Sequence, residues 1–377
     1  MASSVPFHQL DQALQPLAKV AYQGVQQSKA LFALTHKQMS YSLTSLIAPR
    51  FQEIPSLPAE VMNRMKERHD DLLAIDWQEA EQGIYPTSLL FDDPWDDFVA
   101  YYPVVWLDLM GMRDRLQNRK YQEFSPEIDT EGYPRYYLQN FHYQTDGYLS
   151  DLSANLYDLQ VELLFNGGAD AMRRRILAPL KQGLEALASL ASRETKVLDV
   201  ACGTGRTLRL LRGMLPKVSL HGIDLSPNYL RKANQLLSQL PGELPQLMQG
   251  NAETLPYSDQ YFHGITCVFT FHELPPKARQ NVINEAFRVL KPGGVFIICD
   301  SIQASDNPEL LPMMEDFPRK FHEPYYKSYI YDDLGERLNS AGFTVTDVHN
   351  HLASKYWISQ KVTSKLPETE LPYRADF

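Results

Sequence analysis

One acid and two glycines lie close together in the part of the chain best suited to hold a ligand. Asp199 lies in the apolar run "VLDV" at 197–200, and Gly203 and Gly205 follow in the turn "ACGTG". Glycine-rich turns bring backbone N–H groups close to nucleotide cofactors, because glycine adopts conformations that other residues avoid. A second acid, Asp224, ends the next apolar run, which is the usual place for a residue that binds ribose hydroxyls.

The position of Asp199 discriminates between the cofactors that such a turn could hold. A dinucleotide fingerprint requires a third glycine, and Leu208 stands in its place. A carboxylate just before the turn also repels a diphosphate and attracts a cation. S-adenosylmethionine carries an ammonium and a sulfonium and no phosphate, so this pattern favours it over NAD or FAD.

Residues after two later apolar runs could assist methyl transfer. His272 and Glu273 follow the fourth run, and His322, Glu323 and Tyr325 follow the fifth. A neutral imidazole could take a proton from a phenol, enol or carboxyl nucleophile. The histidines could instead be structural, and the two glutamates solvated or helix-capping. Alignment of the reactants can lower the barrier by ~7 to 11 kcal/mol. A general base typically raises the rate by only ~10²- to 10⁴-fold, so positioning is the larger effect.

Alternating strands and helices must position these residues. Apolar runs predict strands near 196–200, 218–223, 246–249, 262–268 and 294–299. Helical spacing predicts helices over about 205–214, 226–240 and 277–290. This order implies right-handed crossovers and a parallel sheet with helices on both faces, and ligands bind beyond the carboxyl ends of its strands.

The chain after the fifth strand departs from this alternation. A segment rich in proline and acids, 301–326, predicts a loop, and helical spacing returns over about 329–341. Two β-like runs, 343–350 and 353–361, are separated by few residues. They therefore predict an antiparallel pair at the end of the sheet.

The first 150 residues predict a separate, mainly helical region. Helical spacing indicates one or two long helices over 8–48 and another over about 58–80. The segment between Tyr85 and Tyr148 is dense in aromatic residues, which could form a flat pocket wall or an aromatic core that braces the helices. We expect residues 1–150 to cover the substrate or to dimerise, and residues 151–377 to bind the cofactor.

Two charged clusters lie outside these motifs. The triplet "RRR" at 173–175 predicts surface charge, with the alternative that one arginine reaches an anionic substrate or the cofactor carboxylate. The segment "DDPWDD" at 92–97 predicts a solvated loop with Trp95 anchored. The spacing of its acids is not that of a metal site, and no metal site is predicted.

Composition restricts the partners and the compartment. The net charge of -10 disfavours nucleic acid as a partner. The three cysteines lie in or beside apolar runs, which indicates neither a disulfide framework nor a zinc site. The sequence shows no secretory leader or transmembrane stretch, so we expect a cytoplasmic protein with a small-molecule substrate. Peripheral membrane contact and a homodimer both stay open.

Three motifs carry a resemblance to a known family. "VLDVACGTG" and "HGIDLSP" resemble the first and second motifs of the class I S-adenosylmethionine-dependent methyltransferases, and "GNAETLPY" resembles the third. The resemblance implies an α/β, Rossmann-like sheet of seven strands with the last antiparallel. The run from "NAETLP" to "FRVLKPGG" is most similar to the ubiquinone and menaquinone C-methyltransferase branch. The resemblance covers about 155–300 well and does not reach the first 150 residues.

The resemblance implies roles for particular residues. Asp199 would lie beside the methionine moiety and Asp224 would accept both ribose hydroxyls. Asn251 replaces the acid that contacts adenine, and Tyr157 would cover the cofactor or be a core tyrosine. The expected cofactor-binding residues are Tyr157, Asp199, Ala201, Gly203, Thr204, Gly205, Asp224, Leu225, Asn251, Ala252, Glu253 and Phe269. The expected catalytic residues are His272, Glu273, His322 and Tyr325.

These observations predict a methyltransferase that uses S-adenosyl-L-methionine to modify oxygen or carbon of a small, planar or hydrophobic molecule. One alternative is methylation of a protein side chain, with the acidic N-terminal region as the docking surface. Another is a protein that binds S-adenosylmethionine without turning it over.

Overall fold

A single sheet of seven strands forms the centre of the computed structural model, which describes residues 7–47 and 58–362. The strands are β1 Lys196–Val200, β2 Ser219–Asp224, β3 Gln246–Gln249, β4 Phe262–Val268, β5 Leu290–Ser301, β6 Phe343–His351 and β7 Ser354–Lys361. Their order is β3-β2-β1-β4-β5-β7-β6, and β7 runs antiparallel to both of its neighbours. The other pairs are parallel, which confirms the predicted fold class.

The order of the strands determines where a ligand can bind. β1 pairs with β2 on one side and with β4 on the other, so the connections leave β1 in opposite directions. A crevice forms at such a switch point, beyond the carboxyl ends of the strands. The glycine turn, residues 201–205, and the segment after β4 both lie at this edge.

Helices surround the sheet and form most of the N-terminal region. They are α1 Phe7–Ile47, α2 Ala59–Glu81, α3 Trp95–Asn118, α4 Asp151–Leu164, α5 Ala169–Arg174, α6 Leu177–Leu187, α7 Arg206–Met214, α8 Pro227–Leu237, α9 Pro276–Val289, α10 Leu311–Phe321, α11 Tyr326–Ile330 and α12 Leu334–Ala341. The three helices predicted between the strands are confirmed as α7, α8 and α9. Ser226 caps α8 by accepting a hydrogen bond from the Tyr229 N–H.

Two predictions for the C-terminal part are wrong. The segment 301–326 is not a loop, because α10 occupies its centre and buries Met314. Pro312 lies in the first turn of α10, where proline costs the helix no hydrogen bond, and the helix also accommodates Pro318 in its interior. The helix predicted over 329–341 is two helices, because the Asp333 side chain accepts a hydrogen bond from the Glu336 N–H and starts α12.

The N-terminal region contains the predicted long helices and one that the sequence did not predict. α1 is a single helix of 41 residues, α2 matches the second prediction, and α3 is the additional helix. Residues 119–150 are irregular apart from the short 3-10 turn Phe141–Tyr143. Within the described ranges, no helix combines the length and hydropathy that crossing a bilayer requires.

The arginine triplet is buried and does not form surface charge. Asp76 on α2 is fully buried and accepts hydrogen bonds from Arg174 at 2.6 Å and from Arg175 at 2.5 Å. Tyr22 and Tyr85 also donate to the Asp76 carboxylate, at 2.6 and 2.7 Å. Although burial opposes ionisation, the two guanidinium groups lower the pKa of Asp76 to about 2. The prediction of surface charge is wrong because Asp76, distant in sequence, neutralises Arg174 and Arg175. Arg173 is also buried and pairs with Asp170 at 2.7 Å, and its alternative role of reaching the substrate or the cofactor stays a prediction.

The acidic segment 92–97 is also not a solvated loop. Asp92 forms a two-point contact with Arg209 on α7, at 2.5 and 2.6 Å, and Asp93 lies 2.7 Å from the Lys29 amine. Trp95, predicted to be anchored, leaves 45% of its surface exposed. Asp92 therefore binds the N-terminal region to the sheet domain, Asp93 pairs within the N-terminal region, and the tryptophan lies at the surface.

Candidate active site

A cavity lies at the carboxyl ends of β1, β2 and β4. The glycine turn and Asp224 form one side of it, and Val268 to Thr270 at the end of β4 form another. The N-terminal region contributes Tyr136, Tyr137, Phe141 and Tyr148 to the lining. We call these four residues the aromatic wall. The cavity therefore lies between the two regions of the chain.

The glycine turn leaves space for a ligand on its cavity side. Gly203 has a φ of +53°, and a Cβ atom built there would approach only Tyr229, at 3.9 Å, among the described residues. Gly205 has a different function, because a Cβ atom there would come within 3.0 Å of Ala233 on α8. Gly203 thus keeps the cavity open, and Gly205 allows α7 and α8 to pack.

Asp224 is held at the cavity by the backbone around it. Its carboxylate accepts hydrogen bonds from the Gly203 N–H at 2.9 Å and from the Ser226 N–H at 2.8 Å. Burial raises its pKa to about 6 although both bonds favour the ionised form. Each oxygen keeps a free lone pair, so the carboxylate can accept hydrogen bonds from two ribose hydroxyls. The glycine turn and this acid fit S-adenosylmethionine.

Asp199 lies behind the cavity lining. Its carboxylate accepts a hydrogen bond from the Thr266 hydroxyl of β4 at 2.7 Å, because the two residues are opposite each other in the sheet. Burial raises the pKa of Asp199 to about 7. Its expected place beside the methionine moiety stays a prediction.

The structure brings most of the expected cofactor residues to one cavity. Those that line it are Tyr157, Ala201, Gly203, Thr204, Asp224, Leu225, Asn251, Ala252 and Phe269. Asp199, Gly205 and Glu253 lie outside the lining. Glu253 instead accepts hydrogen bonds from Tyr136 at 2.7 Å and from Asn281 at 2.8 Å, and so supports the aromatic wall. The roles of these residues in binding stay predictions.

The aromatic wall is tied to the cofactor side of the cavity. Tyr148 stacks on Phe141 at 5.4 Å and meets Tyr229 of α8 edge-on at 5.4 Å. The Ser226 hydroxyl donates to the Tyr148 carbonyl at 2.6 Å. The sequence predicts that the aromatic segment forms either a flat pocket wall or a core that braces the helices, and each prediction fits a part of the segment. Tyr136, Tyr137, Phe141 and Tyr148 line the cavity. Tyr102 and the residues around it pack against α1 as a core.

A buried acid organises the turn after β4. Asp300, at the end of β5, accepts hydrogen bonds from the backbone N–H groups of Thr270 and Phe271, at 2.9 and 2.7 Å. It also contacts His272 Nδ1 at 2.6 Å. Although burial of the ring opposes charging, this contact raises the pKa of His272 to about 10. The neutral imidazole expected of a base is therefore not the favoured form, and Glu273 alone of this pair lines the cavity.

His322 and Tyr325 lie outside the cavity lining. His322 follows α10, stacks on Tyr121 at 4.3 Å and lies 3.1 Å from the Gln139 amide oxygen. Burial lowers the pKa of His322 to about 4. Tyr325 packs against Tyr136, with ring centres 6.4 Å apart. Because α10 replaces the predicted loop, both residues face the aromatic segment and not the cavity.

A polar cluster lies beside the cavity, and the sequence did not predict it. The Tyr148 hydroxyl donates a hydrogen bond to Glu273. His142 Nε2 lies 3.6 Å from Glu273 Oε1 and 3.1 Å from Glu323 Oε1. Glu323 has no exposed surface, so the prediction that it is solvated or caps a helix is wrong. The sequence did not indicate His142, because this residue belongs to a segment with no resemblance to a known motif. In the structure its φ of 54° marks an unusual turn.

Comparison with known proteins shows which family this chain resembles. The family described as "Methyltransferase domain" matches residues 197–294. An uncharacterized methyltransferase of Synechocystis sp. is 32% identical over 171 residues, covering 45% of this chain and 76% of its own. A demethylmenaquinone methyltransferase of Thermotoga maritima is 30% identical over 182 residues, covering 48% and 69%. A solved S-adenosylmethionine-dependent methyltransferase from Aquifex aeolicus superimposes with a TM-score of 0.36 and 21% identity, over 50% of this chain and 93% of that one.

The chain belongs to the class I S-adenosylmethionine-dependent methyltransferases. It is an enzyme of that class, with S-adenosylmethionine as its cofactor. The curated relatives named here match about half of the chain.

Proposed function

We propose that this enzyme methylates oxygen or carbon of a small, planar or hydrophobic molecule held against the aromatic wall. The observation that carries the proposal is a single cavity with the glycine turn and Asp224 on one side and the aromatic wall on the other. Flat aromatic rings bury planar apolar molecules well and favour stacked or edge-on contacts with them.

The chain's own residues would hold the cofactor on the side of the glycine turn. S-adenosylmethionine supplies a methyl group on a sulfonium, which a nucleophile can displace. Asp224 would bind the ribose hydroxyls, and Asn251 and Ala252 would face the adenine. Tyr157 would cover the cofactor from α4.

The N-terminal region would serve as the cover of the site. Tyr136 is tied to Glu253, and Tyr148 is tied to both Ser226 and Glu273, so three contacts attach the aromatic wall to the sheet domain. A cover of this kind excludes water and fixes the orientation of the acceptor. Orientation of two reactants contributes ~7 to 11 kcal/mol, so the cover would supply the largest part of catalysis.

Glu273 and Tyr148 provide the polar groups for the acceptor. Both line the cavity, and burial keeps the Tyr148 hydroxyl protonated because it raises the pKa well above its usual value. The Glu273 carboxylate can accept a hydrogen bond from a hydroxyl or enol of the acceptor. An acceptor with an aromatic ring and a hydroxyl would satisfy both the wall and this pair.

The named relatives support the same class of acceptor. One of them, from Thermotoga maritima, is a demethylmenaquinone methyltransferase, and that name specifies a substrate of the quinone class. We propose that this chain takes a molecule of comparable ring chemistry.

The test is transfer of label from [methyl-¹⁴C]S-adenosylmethionine to cell extracts separated into solvent-extractable small molecules and protein. We expect label in the small-molecule fraction. An Asp224→Asn variant should lose most of this transfer at limiting cofactor. Label confined to protein would contradict the proposal and support side-chain methylation, and cofactor binding with no transfer to either fraction would contradict catalysis.

A further inference from the structure

We propose that His142, Glu273 and Glu323 form a binding site for one divalent first-row metal ion beside the cofactor cavity. The three residues come from separate segments: the 3-10 turn at 141–143, the turn after β4, and the residues that follow α10. Because these segments are distant in sequence, no local spacing of ligands indicated a metal site.

The positions of the donor atoms match those of metal ligands. His142 Nε2 lies 3.1 Å from Glu323 Oε1 and 3.6 Å from Glu273 Oε1, and the three atoms lie within 4.8 Å of one another. Bonds of ~2.0 to 2.2 Å to a tetrahedral or octahedral ion place neighbouring ligands ~2.8 to 3.6 Å apart. Both distances from His142 fall in or at the edge of this range.

Glu323 supplies an independent indication of a ligand. Its side chain is fully buried, and neither carboxylate oxygen accepts a hydrogen bond from any described residue. Its nearest cationic group is His142 Nε2 at 3.1 Å. A buried carboxylate without hydrogen bonds is costly, and a bound cation would remove that cost.

In a second acidic cluster, lysine and arginine side chains neutralise the carboxylates. Asp93, Glu162 and Asp170 also bring three carboxylates together. There the Lys29 amine lies 2.7 Å from Asp93 and 3.3 Å from Glu162, and Arg206 binds Asp170. These lysine and arginine side chains take the place of an ion. At the His142 cluster the cations among the described residues are imidazoles, because His272 Nε2 also lies 3.9 Å from Glu273 Oε1, and the His142 imidazole can give up its proton and become a ligand.

The donor set specifies the class of ion. One imidazole nitrogen and two carboxylate oxygens suit Mn²⁺, Fe²⁺ or Zn²⁺, and the absence of thiolate from this set disfavours soft ions. With a neutral imidazole the cluster carries two negative charges, which a divalent ion would neutralise. Glu273 lines the cavity, so the ion would lie at the cavity wall.

The test is titration of chelator-stripped, full-length protein with Mn²⁺, followed by electron paramagnetic resonance. We expect one equivalent of Mn²⁺ per chain, and an affinity that falls by at least ~10-fold in Glu323→Gln and in His142→Ala. His349→Ala is the matched control, because His349 pairs with Asp347 at 3.1 Å on an exposed strand and should leave the affinity unchanged. Circular dichroism and affinity for S-adenosylhomocysteine would report whether each variant folds.

A second measurement needs no variant. Electron spin echo modulation of the Mn²⁺-bound native protein should show coupling to a single histidine nitrogen. Failure of the native protein to bind Mn²⁺ stoichiometrically, absence of the nitrogen coupling, or equal affinity in folded variants and native protein would overturn the proposal.

Discussion

The Tyr148 hydroxyl donates a hydrogen bond to Glu273, and this contact joins the aromatic wall to the turn after β4. Tyr148 belongs to the N-terminal region and Glu273 to the methyltransferase fold. Asp300 holds the turn that carries Glu273. The cavity therefore depends on both regions for its shape, and neither encloses it alone.

Tyr148→Phe should lower the free energy of unfolding by about 1.5 to 3 kcal/mol, because it removes a hydrogen bond to a charged group in a buried setting. Urea denaturation would measure the loss. Tyr331→Phe is the matched control, since Tyr331 donates to Glu315 at 2.7 Å on the surface, and this variant should lose far less stability. Equal losses in the two variants would show that the Tyr148 contact adds nothing through burial.

Asp76→Asn should destabilise the protein by about 3 to 5 kcal/mol, because Arg174 and Arg175 would be left buried without their counter-charge. The measurement is the urea midpoint together with its slope. Asp151→Asn removes an exposed partner of Arg231 and should cost at most ~1 kcal/mol. A loss at Asp76 as small as that at Asp151 would contradict the assigned role of the buried network.

Gly203→Ala should lower the affinity for S-adenosylhomocysteine by at least ~10-fold, because the new methyl group occupies space at the cavity and the backbone is strained. Gly83→Ala is the control, since Gly83 also has a positive φ and has no described atom near its Cβ position. Both variants should lose about 1 to 2 kcal/mol of stability, and only the first should lose affinity in calorimetric titration. Unchanged affinity in Gly203→Ala would place the cofactor elsewhere.

Asp199 should make the cofactor-free protein less stable as the pH rises from about 4 to about 7. Burial raises its pKa in the folded state to about 7, so the folded state holds this proton more tightly than the unfolded state does. The contribution at low pH is on the order of 4 kcal/mol and is lost as the pH rises through the folded pKa.

The stability difference between native protein and Asp199→Asn, measured by urea denaturation at pH 5 and pH 7.5, isolates this group. The variant should gain stability relative to the native protein at the higher pH. Glu194→Gln changes an exposed acid before the same strand and should show no such trend. Parallel pH profiles for Asp199→Asn and the native protein would contradict the burial of an ionisable carboxyl.

The sheet and the glycine turn could be predicted from the sequence because their signals are local. Strands β1, β2 and β4 are short apolar runs, and Gly203, Gly205 and Asp224 have fixed places after or at the ends of such runs. The topology then brings those ends to one edge whatever the rest of the chain does.

The other half of the site could not be predicted in this way. Tyr148 and Glu273 meet across the boundary of the two regions, and no spacing along the chain records that contact. The same holds for Asp76, Arg174 and Arg175, which form a buried network although the sequence predicts surface charge for these arginines. His322 was misplaced because its position depends on α10, which a proline-rich sequence concealed.

A crystal structure of the protein with S-adenosylhomocysteine would test the proposed cofactor and acceptor sites most directly. We expect the ribose hydroxyls to donate hydrogen bonds to Asp224 and the cofactor to contact the backbone at Gly203. The sulfur should face an open space bounded by Tyr148 and Glu273. A ligand bound away from Asp224, or a sulfur facing a surface with no room between it and the aromatic wall, would contradict this expectation.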